Sequence, residues 1–534
     1  MTASTKINLR FNNTEQFKES FFEANTPTIA YVSIGNHIPY INEASPDSLV
    51  DTIASEKSVW DNIYAAKKVT GNDVELVIPR INWTANTKYR QYDDIIDAGS
   101  LLSANVSQNL KPMYVITSGL DVYKCVSNNA SANSTVEPTG NYTTSNGNIG
   151  TADSYIWKYM YNVSPSNKYL TTSWIPAPTS TSALDYGVNV SGVVDGELSS
   201  ITVINKGVNY RQASNIRVDG FTSGQTTIKL ANTTLALAIF SIPVLSNLSN
   251  LSISGTGIPT NAYISSIANA TGVITLSANT SASGGNANNI TISTRVYIDG
   301  DGVGVVAAAT LSNTSSGVSS VNANVNKISV STIGSDYTFA NVYIYGSGSA
   351  ANARVILPPK FGHAFNPAKE LNANNVMISV RIGEIDSTEQ GLISVDTSFR
   401  QISLLRDPYK YDTTTVANTS TANSVISQTT NLDVVAGTTY TLNEYVYQGN
   451  VLNPTAYAYI NAQTTNGVRL SRVKGTFVTG LALVGTTSSS SRTVTAISNP
   501  EFEPYTGDIL YVENSIKADR ADGQAENIKL VISF

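Results

Sequence analysis

The sequence predicts a mainly β, multi-domain protein, with a β-sandwich-like scaffold, a small α+β part at its N-terminus and inserted small β modules. Three observations predict it. Helical spacing of apolar residues stops near residue 70. From Val74 onward, short β-branched and aromatic runs are separated by Asn, Gly and Pro clusters. The 534 residues also exceed what a single core usually organises.

Taken in order, Asn13 is a candidate N-cap for a short helix that places Phe17 and Phe21 on one face. Thr28 to Ile34 alternates as a strand. Ser45-Pro46 reads as a cap with proline at the first helical position, followed by Leu49, Ile53, Trp60 and Tyr64 at helical spacing. Strands follow at Val74 to Ile78, Met113 to Thr117, Val122 to Val126 and Tyr155 to Val163, and Asn128 to Thr151 is a long loop between them. From Thr179 to Pro359 the composition shifts to small and β-branched residues with few charges.

That segment carries an internal repeat. Ile201-Thr202-Val203 leads to Gly207, Tyr210 and Ala213, and Ile328-Ser329-Val330 leads to Gly334, Tyr337 and Ala340 at one constant offset. Each copy reads strand, GxxYxxA, strand, and closes on a glycine, Gly220 or Gly346; the tyrosine is expected to pack under a glycine-enabled turn. A further β unit surrounds Gly255 to Pro259. Thr439 to Val446 and Thr476 to Val484 mark another β insertion. The expected organisation is 1–178 scaffold, 179–360 inserted β repeats, 361–410 scaffold return, 411–500 second insertion and 501–534 terminal scaffold strands.

Composition narrows the function. Only 13% of residues are charged, against roughly 25% in an average soluble protein, so Asn, Ser, Thr and Gly carry the polarity. The net charge of −6, without a basic run, argues against a nucleic-acid groove, which needs clustered Lys and Arg. Met1 to Phe17 lacks the apolar run of a secretory signal, and the most apolar stretch, Leu235 to Leu245, is too short to span a membrane. One cysteine, Cys125, precludes an intramolecular disulfide, and two histidines, His37 and His363, offer little for a metal centre or a catalytic dyad.

The candidate sites each have a plainer reading. Asp299-Gly300-Asp301-Gly302 resembles the opening of a calcium loop but lacks the further acids, so a glycine-rich turn is expected. Asp93-Asp94 and Glu501 with Glu503 are carboxylate pairs of the kind glycosidases use, but proximity in sequence does not establish a cleft. The sequons at Asn105, Asn162 and Asn247 are expected by chance in so Asn- and Ser-rich a chain. Tyr155, Trp157, Tyr159 and Tyr161 alternate onto one face, suited to a sheet face or interface and less so to sugar stacking. No catalytic residue, metal ligand or cofactor site is assigned, and no enzymatic activity is expected.

Several blocks carry a resemblance. Asn12, Phe17 and Ser20-Phe21-Phe22, Val32-Ser33-Ile34-Gly35, Trp60, and Val77-Ile78-Pro79-Arg80 with Trp83 resemble the N-terminal region of the baseplate wedge subunit called gene product eight in T-even-type contractile-tailed bacteriophages. Val122 to Cys125, Glu137-Pro138 and Tyr155 to Tyr159 resemble its middle region. Phe399 to Ser403 with Asp407-Pro408, and Gly507 to Asn514 running to Ile528 through Phe534, resemble its C-terminal region. The order is preserved over 11–178, 361–410 and 501–534, a little under half of the chain. Asp153-Ser154 stands where the family pattern has Asp-Gly.

The resemblance implies a homodimeric, non-enzymatic virion protein of the tail baseplate, made in the infected bacterial host, that bridges other baseplate wedge proteins. A bracing role suits the low charge, because large buried interfaces tolerate few unpaired ions. The alternative is a receptor-binding tail or adhesin protein that contacts host glycans through the inserted β modules.

Overall fold

The computed structural model describes residues 7–23, 27–106, 109–143, 147–180, 193–284, 289–312, 314–315, 318–319, 323–382, 397–418, 425–520 and 525–534. The protein is mainly β, built of many antiparallel sheets with a small α+β part at the start. Its chain divides into two compact units. Residues 1–79, 166–177 and 372–534 form the first, and residues 80–165 and 178–371 form the second.

In the first unit a helix, Ile7–Glu19, precedes the strand Ala30–Gly35. Asn13 therefore lies inside the helix and does not cap it. The second helix is Ile53–Asn62, capped by the Thr52 side chain, which accepts the N–H of Ser55. Ser45-Pro46 does not start it, and Tyr64 has already passed into the strand Ile63–Val69. Sheet pairing captures Tyr64 because Ala30–Gly35 offers it an antiparallel edge.

Five strands order as Val425–Ser427, Ile63–Val69, Ala30–Gly35, Ser398–Arg406 and Asp508–Asp519. Ala30–Gly35 is buried on both faces, so its alternation does not separate a wet face from a dry one. Tyr31, Trp60, Leu405, Ile426 and Phe502 build the adjoining core. A second sheet runs Trp174–Pro176, Val74–Pro79, Asn375–Ile382 and Glu526–Ser533. Within the expected 411–500 insertion, six strands from Thr430–Val434 to Ser491–Ser498 close into a barrel. Its core holds Leu432, Val446, Ile460, Leu470, Leu483 and Val494. Closure removes the exposed edges that short, weakly charged strands would otherwise present.

The second unit begins with a sheet ordered Tyr114–Ile116, Asp121–Ser127, Ile156–Asn162 and Asn148–Gly150, the last lying inside the expected loop. The repeat region supplies Ser200–Val208 paired with Ser349–Ile356, and a sheet ordered Val325–Ser335, Val303–Leu311, Arg295–Gly300 and Ala340–Tyr345. Between its copies stands a module with its own core, including Phe221, Phe240, Leu248, Ile264 and Ile292. The apolar stretch near Leu235 is part of that module, as the helix Thr233–Phe240 capped by Asn232.

The two repeats engage each other reciprocally. The N–H of Tyr210 donates to Ala323 O at 2.9 Å, and the N–H of Tyr337 donates to Gly196 O at 3.1 Å. Tyr210 is buried against Gly207, Gly346 and Gly348, and Tyr337 against Gly300, Gly302 and Gly334. At each of these six glycines a β-carbon would come within about 3 Å of the ring, so the glycines form the socket as well as the turn.

Candidate functional site

The second unit buries an ionisable cluster. Lys124 comes from Asp121–Ser127, Lys158 from Ile156–Asn162, Glu197 and Ser199 from the approach to Ser200–Val208, and His363 and Glu370 from the segment after Ser349–Ile356. The side chains of Lys124 and His363 are fully buried, and those of Lys158, Glu197 and Glu370 nearly so. Strand alternation and long-range pairing put these charges inside; no sequence motif marks them.

Lys124 Nζ contacts Glu370 Oε1, lies 2.5 Å from His363 Nδ1 and sits over the Tyr92 ring, 4.1 Å from its centroid. His363 Nδ1 is 2.7 Å from Glu370 Oε1, and Nε2 is 2.6 Å from the Ser199 hydroxyl. Lys158 Nζ donates to Glu197 Oε1 at 3.3 Å. Burial, with Lys158 nearby, holds the Lys124 ammonium well below the ordinary lysine range. Burial and then the two lysines hold His363 well below its usual range, and burial pushes Glu197 up.

Ser199, His363 and Glu370 share the connectivity of a nucleophilic relay. A relay requires His363 to become an imidazolium, however, and here that cation would form beside two lysines while Lys124 already engages the carboxylate. The electrostatics therefore oppose activation of Ser199. Glu197, Ser199 and His363 also border a cavity of about 800 Å³ lined further by Gln91, Asn128 and Lys327.

Of the candidate residues singled out in the sequence, His363 joins this cluster and Asp93 borders the same cavity; the others lie elsewhere. Asp301 caps the hairpin that cradles Tyr337, accepting the N–H groups of Thr338 and Phe339 at 2.9 and 3.2 Å, and Asp299 lies on Arg295–Gly300 opposite Asn341. Among the described residues, no group of three His, Cys, Asp or Glu side chains is placed to hold a metal ion. Asp93 and Asp94 both bind Arg354, Asp93 through two 2.7 Å bonds. Glu501 accepts the N–H of Ser427 and Glu503 that of Asp412, each tying the segment before the last strands to a distant stretch of backbone.

His37 is buried in the first unit, 3.3 Å from the Ser471 hydroxyl, and its carbonyl accepts from Arg400. Cys125 is fully buried, and burial raises its thiol well above the usual range, so it is an inert core residue. The Asn162 side chain donates to Asp121 at 2.7 Å; Ser107 of the Asn105 sequon lies outside the described residues. Tyr155, Trp157, Tyr159 and Tyr161 are all buried within the second unit, which removes them as an exposed sugar platform.

The turn at Asp153-Ser154 has a clear geometry. Ser154 adopts φ +65°, and Asp153 accepts the N–H groups of Thr135, Val136 and Tyr155, so the turn has a glycine-type backbone with serine in it. No protein-family model matches the chain, and no curated protein matches it. Among the described residues, no helix is long and apolar enough to cross a membrane.

Proposed function

We propose that the chain is a structural, non-enzymatic subunit of a contractile phage tail baseplate, a homodimeric wedge protein that bridges neighbouring wedge proteins in the virion. One observation carries this reading: the blocks that resemble the family, remote in sequence, are hydrogen-bonded neighbours. Ser33 of Val32 to Gly35 faces Ser403 of Phe399 to Ser403 in direct register, their hydroxyls 2.5 Å apart, and Gly507 to Asn514 supplies the next strand. Val77, at the start of the block Val77 to Pro79, and Ile528 to Ser533 pair with opposite edges of one strand, Asn375–Ile382, which lies between them. Val122 to Cys125 pairs with Tyr155 to Tyr159. The segments without resemblance form the closed barrel and the repeat region, the latter in one compact unit with residues 80–165.

Co-expression with the other wedge proteins of the same phage tests the proposal. A dimer by light scattering that enters a wedge complex supports it. A monomer that joins no wedge protein would overturn it.

The receptor-binding reading has one feature in its favour. Tyr445, Tyr447, Tyr457 and Tyr459 form a half-exposed ring cluster on the outside of the barrel, with Tyr445 and Tyr457 stacked at 5.3 Å and Arg472 over Tyr459. Glycan-array binding that is lost in Tyr447→Ala with Tyr457→Ala would favour that function for the insertion.

A further inference from the structure

Lys124 and Glu370 meet inside the second unit with side chains 0% and 4% exposed. Glu370 is held at both oxygens. Oε2 accepts the backbone N–H of Ala364 at 2.8 Å, while Oε1 contacts Lys124 Nζ and stands 2.7 Å from His363 Nδ1. The same Nδ1 is 2.5 Å from Lys124 Nζ. One imidazole nitrogen therefore reaches both the amine nitrogen and a carboxyl oxygen. Tyr92 covers Nζ from another side.

We propose that Lys124 and Glu370 condense into an intramolecular amide, a covalent cross-link between the strand Asp121–Ser127 and the segment that follows Ser349–Ile356. An ammonium and a carboxylate are costly to bury, and a second buried lysine, Lys158, adds to the cost. Condensation passes through proton transfer within the pair to a neutral amine and a neutral carboxyl, which together differ from an amide by one water molecule. Well-oriented groups held together react with effective molarities of about 10⁵ to 10⁸ M.

The step balances without any co-reactant. The Lys124 Nζ lone pair attacks Glu370 Cδ, and the oxyanion that forms at Oε2 is met by the Ala364 N–H. After attack the nitrogen is itself cationic, so moving its proton to His363 Nδ1 adds no charge to the cluster, unlike the Ser199 relay, and His363 then returns that proton to Oε1. The Cδ–Oε1 bond then breaks and one water leaves. In the product the carbonyl keeps the Ala364 N–H, the amide N–H faces His363 Nδ1, and Nε2–H donates to Ser199. Lys158 and Glu197 are equally buried, but no imidazole bridges their reacting atoms, so they remain an ion pair.

This inference does not depend on the baseplate reading, since a mass measurement is independent of assembly. Denaturing intact-mass spectrometry of the full chain is compared with Lys124→Arg, which can be weighed whether or not it folds. The wild type is expected to be lighter than its sequence mass by one water, the variant to match its own, and a digest of the wild type to contain one branched peptide joining the two segments. Wild-type protein at full sequence mass, with Lys124 and Glu370 in separate linear peptides, overturns the cross-link and leaves a buried ion pair. His363→Gln is expected to be mostly unlinked; complete linkage in that variant would overturn the proton relay.

Discussion

Tyr337 lays its ring against the bare α-carbon of Gly302, where a β-carbon would stand 2.4 Å from the ring. Ser335 O would be as close, at 2.5 Å, so neither the ring nor the backbone has room to yield. Gly302→Ala is expected to destabilise by about 1–3 kcal/mol, the usual cost of overpacking. Gly150→Ala, with nothing within 4 Å of the new carbon, is the control and should be near neutral. Urea midpoints of the two variants check this, and equal midpoints would remove the socket account.

Ser154 provides the opposite case. Its φ of +65° is a conformation that glycine adopts without steric cost and serine does not. The Asp153 carboxylate holds the turn from outside Ser154, so the side chain at 154 can be removed without losing those bonds. Ser154→Gly is therefore expected to stabilise by about 0.5–1 kcal/mol, somewhat offset by the greater freedom of glycine in the unfolded chain. A lower melting temperature would mean that the serine hydroxyl contributes more than its backbone costs.

Trp157 is fully buried, stacked on Tyr155 at 5.5 Å and edge-on to Tyr89 at 5.4 Å. Trp157→Ala should cost about 3–5 kcal/mol of folding stability. Light scattering separates this from an interface role, because a core residue lowers stability at any protein concentration. A variant that melts like the parent but dissociates on dilution would place the ring between protomers.

The sequence disclosed some of these features and hid others for identifiable reasons. The tyrosine sockets are legible only in part: GxxYxxA places Gly207 against Tyr210 and Gly334 against Tyr337, whereas Gly348, Gly300 and Gly302 come from outside the motifs and Gly346, expected to close the second copy, packs on Tyr210 of the first. Strand Ile156–Asn162 was legible from its aromatic alternation, but its complete burial was not, since that depends on what covers each face. Ser45-Pro46 is the stronger local signal, so Thr52 does not stand out in the sequence as the cap, and pairing of Ile63–Val69 with Ala30–Gly35 fixes where the helix ends. The Lys124, His363 and Glu370 cluster had no local signature. Its members are brought together by packing of the segment around the helix Pro367–Glu370 against the strand Asp121–Ser127, across a long stretch of chain, and in the sequence each looks like an ordinary polar residue.

Acid should weaken the protein through its histidines. Burial first, then Arg472 and Arg400, lower His37 from the usual 6.5 to about 4. Between those values the unfolded chain takes up a proton that the folded one refuses, so stability falls as pH drops from about 6.5 toward 4 and levels off below. The contribution of His37 is of order 3 kcal/mol over that window, and His363 acts with the same sign. His37→Gln should flatten part of the acid limb of a stability–pH profile. An unchanged limb would show that His37 is protonated in the folded protein.

The module between the two repeats should be removable. Its first strand, Ala213–Arg217, and its last, Asn289–Ser293, are antiparallel partners, with Ala213 opposite Ile292, so the chain enters and leaves at neighbouring points. Its core, from Ala213 to Ile292, draws on residues inside that span. The reciprocal bonds between Tyr210 and Ala323, and between Tyr337 and Gly196, lie outside it. Joining Gln212 to Thr294 by a short Gly/Ser linker replaces one closed excursion with a shorter one, at a loop-closure difference of roughly 1 kcal/mol. The shortened chain is expected to keep its cooperative melt and the protease resistance of residues 198–212 and 294–356. Excising 179–360 is different, because it takes Glu197 from Lys158, Ser199 from His363 and Arg354 from Asp93 and Asp94. That larger deletion should unfold 80–165, and its survival as a folded protein would mean that the buried cluster contributes little to the second unit.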